Sequence, residues 1–237
     1  MTVLTIDELN KLGKSRRSVP YDTFFGEMVL TDKQKAERKS FAEQMEDAML
    51  FLFALVVAME ESGSIDTGYL ESTMRDKYAE IAAFYVTLDS QYESYIDQFA
   101  HDVVKTTLER SGIETAKDSA NGNAPNNGSE RAESAQNNPD AYYLSEDRAV
   151  LVAENEANTT LNHGDYTEAK RQGKTYKVWR DFGDFRVRQT HREVNGIEIP
   201  IGEAFAVGNS LMMYPRDSSL GADGDEIAGC RCTCEYY

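Results

Sequence analysis

The chain has 237 residues, enough for one or two domains with a real core. Hydrophobic residues make up 41% and charged residues 28%, as in ordinary globular proteins, but the net charge is −16. That balance excludes a protein whose whole surface binds nucleic acid or an anionic membrane.

The opening stretch MTVLTIDELNKLGKSRR lacks an apolar h-region and a small-residue cleavage site, so no export signal is expected. A reducing compartment follows, where free thiols or metal ligands are favoured over disulfides. Thr31 is placed to cap a first long helix, with Asp32 in its first turn. Phe41, Met45, Ala48, Leu52, Leu55 and Met59 step by alternating fours and threes, a seam for packing against neighbouring helices. The apolar run Met49–Met59 is 11 residues long, whereas a membrane span needs roughly 20. It reads as the centre of a buried helix, and no membrane partner is expected.

SGSID at 62–66 breaks the pattern. A second helix carries Leu70, Met74, Tyr78, Ile81, Tyr85 and Leu88 on one stripe. A third, from about Gln91, carries Tyr95, Phe99, Val103 and Leu108 and stops near Gly112. These three predict an antiparallel bundle over 1–113. Residues 114–140 are rich in Asn, Ser, Ala, Gly and Glu and hold no large apolar side chain, so they predict a flexible linker. From 141 to 237 a smaller domain is expected. A helix runs from Ser145 to about Leu161, Asn162-His163-Gly164 ends or kinks it, and Asp165 with Glu168 makes a capping box for another helix up to Gly173. Short strands follow, with Asn195-Gly196 as a type I′ hairpin turn between Val194 and Ile197. The fold class is therefore α+β: a helical bundle, a linker, and helices packed on a short antiparallel sheet.

Every cysteine lies in the tail GCRCTCEYY. On a strand, Cys230, Cys232 and Cys234 share one face and Arg231 and Thr233 the other. Three readings are open. The thiols are free and buried, or they hold a structural zinc with His191, or they form a disulfide. Alternate strand positions place Cβ atoms about 6–7 Å apart, poor geometry for a bridge that wants about 3.8 Å. His101 and His163 read as incidental.

The segment KTYKVWRDFGDFRVRQTHR, 174–192, interleaves basic and aromatic residues in an acidic chain. Lys174, Lys177, Arg180, Arg186 and Arg188 are candidates for a local contact with DNA. They equally suit Arg–carboxylate pairs and aromatic packing inside the domain. With Phe185 to Val187 as a strand, Arg186 and Arg188 point the same way, onto partners such as Asp184. His191 as a general base, with these two arginines on a phosphate, is the nuclease alternative. No P-loop, G-x-G-x-x-G, H-E-x-x-H or G-x-S-x-G sequence is present.

Trp179, Asp184, RVRQTH with Arg186, Arg188 and His191, Gly196 after Asn195, YP at 214–215, and EIAGCRC with Cys230, Arg231 and Cys232 form an ordered set. This set resembles the C-terminal domain of Mu F-like phage minor head proteins, over about 145–232. Gly229 stands where the family has Asn, and AENEA replaces the family's Arg-Thr-Glu. The resemblance implies a non-enzymatic minor head, or head-morphogenesis, protein of a tailed phage or prophage. It implies action with the portal, the scaffold or the major capsid protein during prohead assembly, with a part in DNA packaging or ejection. It places the chain in the virion or prohead, and in the host cytoplasm during assembly. It also suggests that the cysteine tail docks beside His191 as a latch, by burial or around a metal, with Arg231 paired to an acidic residue.

Overall fold

The computed structural model describes residues 20–113 and 139–237; the segment expected as a linker falls, up to residue 138, outside the described residues. The elements are α1 (Tyr21–Gly26), α2 (Asp32–Glu61), α3 (Thr67–Ala82), α4 (Ser90–Arg110), α5 (Pro139–Tyr142), α6 (Glu146–Arg171), β1 (Tyr176–Arg180), α7 (Gln189–Val194), β2 (Glu198–Pro200), β3 (Phe205–Val207), β4 (Ser210–Met212), α8 (Gly224–Ile227) and β5 (Thr233–Tyr236). The fold is α+β, helical at first and closing in small antiparallel sheets. No helix among the described residues is long and apolar enough to cross a membrane.

Two compact units form, and each takes chain from both sides of 114–138. The first holds Glu43–Ile81, 88–113 and 139–153 among the described residues. Its α3 and α4 run antiparallel: Glu71 meets His101, Arg75 meets Asp97, and Tyr78 meets Tyr92, Tyr95 and Phe99. Lys77 lies over the ring of Phe51 on α2. The α2 seam is buried, as its spacing predicts. Helix α3 stops at Ala82, so Tyr85 and Leu88 are not on its stripe as expected.

The second unit holds 20–42, Ala82–Thr87 and Glu154–Tyr237. Thr31 caps α2 as predicted. Its Oγ1 accepts the Gln34 N–H at 3.3 Å, and the Gln34 side chain accepts the Thr31 N–H at 3.1 Å. Strand β1 lies at the centre of a three-stranded antiparallel sheet in the order β2-β1-β5, with Val178 opposite Glu198 and Trp179 opposite Cys234. β3 and β4 form a separate hairpin. Trp179, Val194, Phe205, Val207 and Met212 build the core here, together with all three cysteines.

Three local expectations are corrected. Helix α6 is continuous through Asn162-His163-Gly164, with no break and no second capped helix. Gly164 is there for a close approach: a Cβ at that position would lie 2.5 Å from Val86 Cγ1. Asn195-Gly196 does not join two strands. Asn195 has φ −61° and ψ 126°, Gly196 has φ 77°, and the Ile197 N–H bonds to the Val194 carbonyl. This is a type II turn, which leads from α7 into β2. Phe185 to Val187 is not a strand; it is part of the irregular connection between β1 and α7.

Candidate site around the cysteine tail

The site is built where the chain's last segment returns to α6 and α7. Gly229, with φ 64°, turns the chain after α8 and sends Cys230, Arg231 and Cys232 across the domain before β5 begins. Three asparagines of α6 hold this segment by its main chain. Asn155 Oδ1 accepts the Gly229 N–H at 3.2 Å, Asn158 Nδ2 donates to the Cys230 carbonyl at 3.1 Å, and Asn162 Nδ2 donates to the Cys232 carbonyl at 3.1 Å. Spacings of three and four place the asparagines on one helical face. They pin an irregular stretch by the groups a strand would pair.

The amide oxygens are fixed in turn by buried arginines. Arg38, on α2, is fully buried and donates to Asn158 Oδ1 at 3.1 Å, Asn162 Oδ1 at 2.9 Å and Asp165 Oδ2 at 3.0 Å. Arg216 donates to Asn155 Oδ1 and to the Ile227 carbonyl, both at 2.8 Å, and to Thr159 Oγ1 at 2.7 Å. It takes φ 71°, a conformation L residues rarely adopt. It holds that conformation while buried against α6. Buried charges need this degree of pairing.

His191 sits in α7, not after a strand, and is 1% exposed. Its Nδ1 lies 3.3 Å from Cys232 Sγ and 3.5 Å from Cys230 Sγ, and its Nε2 lies 3.0 Å from Glu226 Oε2. A carboxylate only accepts, so Nε2 carries a proton, and Nδ1 faces the two sulfurs. Thr190 Oγ1 donates to the same Glu226 oxygen at 2.9 Å. The carboxylate packs over Gly208, where a Cβ would come within 2.6 Å of it. Trp179 meets the imidazole edge to face, with centroids 5.5 Å apart.

The two thiols differ in character. The hydrogen bond from Cys232 holds Cys230 well below the usual thiol range against the opposing effect of burial, and His191 adds to it. Cys232 is pushed up by its neighbour Cys230 and by burial. Burial opposes protonation of His191, but Cys230 and Glu226 outweigh it and raise the imidazole. Cys234 does not join them. It is buried near Lys177 and Tyr236, and burial pushes its thiol up to about 12. All three cysteines are free.

Asp184 receives Arg231 at 2.7 and 2.8 Å and Arg186 at 3.3 Å. Arg231 also lies 3.8 Å from the centre of the Phe182 ring. Burial would raise the Asp184 carboxyl, but Arg231 and Arg186 pull it below its ordinary value. Arg188 reaches the Ala228 carbonyl, not an acid. Of the basic candidates, Lys177 is withdrawn from water, with Nζ on the Met213 carbonyl at 2.5 Å and against the rings of Tyr166 and Phe205. It is not on the surface where a DNA contact would need it. Arg180 pairs with Glu235 at 2.7 Å, and Lys174 is half-buried. Phe185 is 89% exposed beside the exposed Arg186. Both ring nitrogens of His191 are engaged inside the fold.

Gly196 supplies the positive φ of the turn after α7, and its N–H donates to the Trp179 carbonyl at 2.8 Å. The motif residues Trp179, Asp184, His191, Gly196, Cys230, Arg231 and Cys232 therefore support one another around the returning segment. Sequence reading missed Arg38, Asn155, Asn158, Asn162, Arg216 and Glu226. The available signal was the asparagine spacing in AENEANTTLN, because mid-helix asparagine is unfavourable unless its amide has buried work.

No curated protein and no solved structure matches the chain. The sequence pattern of the family described as Phage Mu protein F like protein matches residues 119–235, the region that contains the whole returning segment and all of its supports except Arg38. Residues 119–235 of the chain belong to the Mu F-like family of phage head morphogenesis proteins.

Proposed function

We propose that this chain is a low-copy component of the phage head that works beside the portal, the scaffold or the coat protein while the prohead assembles. The family match over 119–235 carries this reading. The physical character of the domain agrees with it. Asn158 and Asn162 of α6 are turned inward, onto the main chain of the tail. The net charge of −16 keeps the chain from adhering to packaged genome at large. Phe185 and Arg186, at an exposed loop, are the part of the basic segment presented to a head partner or, locally, to DNA.

The test is genetic. Deleting the gene from the phage or inducible prophage and restoring it in trans should give particles that fall in infectivity without the chain and recover with it, with the defect visible in proheads by electron microscopy. Normal proheads and undiminished infectivity without the chain would overturn the proposal.

A further inference from the structure

We infer that His191, Cys230 and Cys232 form a binding site for a thiophilic divalent cation, of which zinc is the prime example, with its fourth position open to the adjoining cavity. The ligand atoms all lie within 4.8 Å of one another. Tetrahedral zinc with Zn–N of about 2.0 Å and Zn–S of about 2.3 Å sets nitrogen and sulfur roughly 3.5 Å apart. The two nitrogen–sulfur distances here are 3.3 and 3.5 Å. The site therefore accepts the ion with little movement.

Three further observations point the same way. His191 Nδ1 faces both Cys232 Sγ and Cys230 Sγ, the arrangement a metal bridges. Glu226 holds the other ring nitrogen, the carboxylate–histidine pairing that fixes a metal-bound imidazole and raises its basicity. The Cys232 N–H lies 3.5 Å from Cys230 Sγ, where it favours a thiolate. The buried Trp179 indole N–H has no acceptor within hydrogen-bond reach.

Beside the ligands is a cavity of about 20 Å³ lined by Phe182, Arg186, Val187 and Arg188. It has room for about one water as the fourth ligand. Two thiolates balance a divalent cation, and the flanking arginines favour an anionic oxygen at the open position. Cys234 lies outside the set and serves as the internal control.

The test uses the reduced, metal-free full chain titrated with cobalt(II) and then zinc. The expected result is one cobalt per chain with a sulfur-to-metal charge-transfer band, displaced by zinc. Cys234→Ser should keep the band and Cys232→Ser should lose it. Glu226→Gln should keep the stoichiometry while weakening zinc by about 10–100-fold. X-ray absorption on the zinc-loaded wild type, which does not depend on any variant folding, should show two sulfur and two light-atom ligands. Absence of a stoichiometric complex, a band that survives Cys232→Ser, or a third sulfur in the absorption spectrum would overturn the site.

Discussion

Asn162 donates its side-chain amide to the main-chain carbonyl of Cys232 at 3.1 Å, and the same amide reaches the Pro215 carbonyl at 3.1 Å. One helix residue thus fixes two non-adjacent segments, and its oxygen receives Arg38. Asn162→Leu leaves two buried carbonyls and a guanidinium N–H without this partner. The expected cost is about 3 kcal/mol in urea unfolding. A loss no larger than that of an exposed substitution would contradict the assigned role.

Arg38 and Arg75 provide a contrast between buried and exposed charge. Arg38→Met removes a fully buried guanidinium and strands Asn158, Asn162 and Asp165, so about 3–5 kcal/mol is expected. Arg75→Ala breaks an exposed, solvent-screened pair with Asp97 and should barely move the midpoint. Equal midpoints for the two variants in denaturant titrations would refute the distinction.

Gly164→Ala tests the close approach in α6. Helix propensity alone favours alanine by about 1 kcal/mol. The contact with the stiff, β-branched Val86 should reverse the sign, for a net loss of about 1–3 kcal/mol. Adding Val86→Ala should restore part of that loss; a thermal scan in which Gly164→Ala stabilises by itself would show that the approach is not tight.

Lys177 gives a pH dependence. Burial pushes its ammonium down to about 8, against the influence of Cys234, Asp217 and Glu203 and with that of Lys170. The folded value lies below the unfolded one, so the unfolded chain binds more protons between about pH 8 and about 10.5, and stability from this residue rises with pH across that window. The Tm of wild type minus that of Lys177→Met should therefore increase from about pH 7.5 to about pH 9.5. A constant difference would show that the ammonium is not destabilised by burial.

Helix periodicity made α2, α3 and α4 legible in the sequence, because apolar spacing reports directly on a buried stripe. The Thr31 cap was legible for the same local reason. The continuity of α6 was not: Asn-His-Gly reads as a stop until Val86, far away in sequence, is seen to require the glycine. The turn at Asn195-Gly196 reads as type I′ in the sequence, but type II accepts glycine at the same position, and only the flanking elements decide. The motif residues around His191 were recognisable through their order along the chain. Their supports were not, because Arg38 lies in a different part of the sequence and Glu226 in a loop-like stretch. Which cysteine would stand apart was equally hidden, since β5 begins only after Cys232.

The central claim is that this chain is part of the phage head. Quantitative mass spectrometry of purified proheads and mature particles, scaled to the portal and coat proteins, tests it most directly. The account predicts the chain in one or both at a small multiple of the portal copy number. Its absence from both, with the protein abundant in the same lysate, would contradict the account.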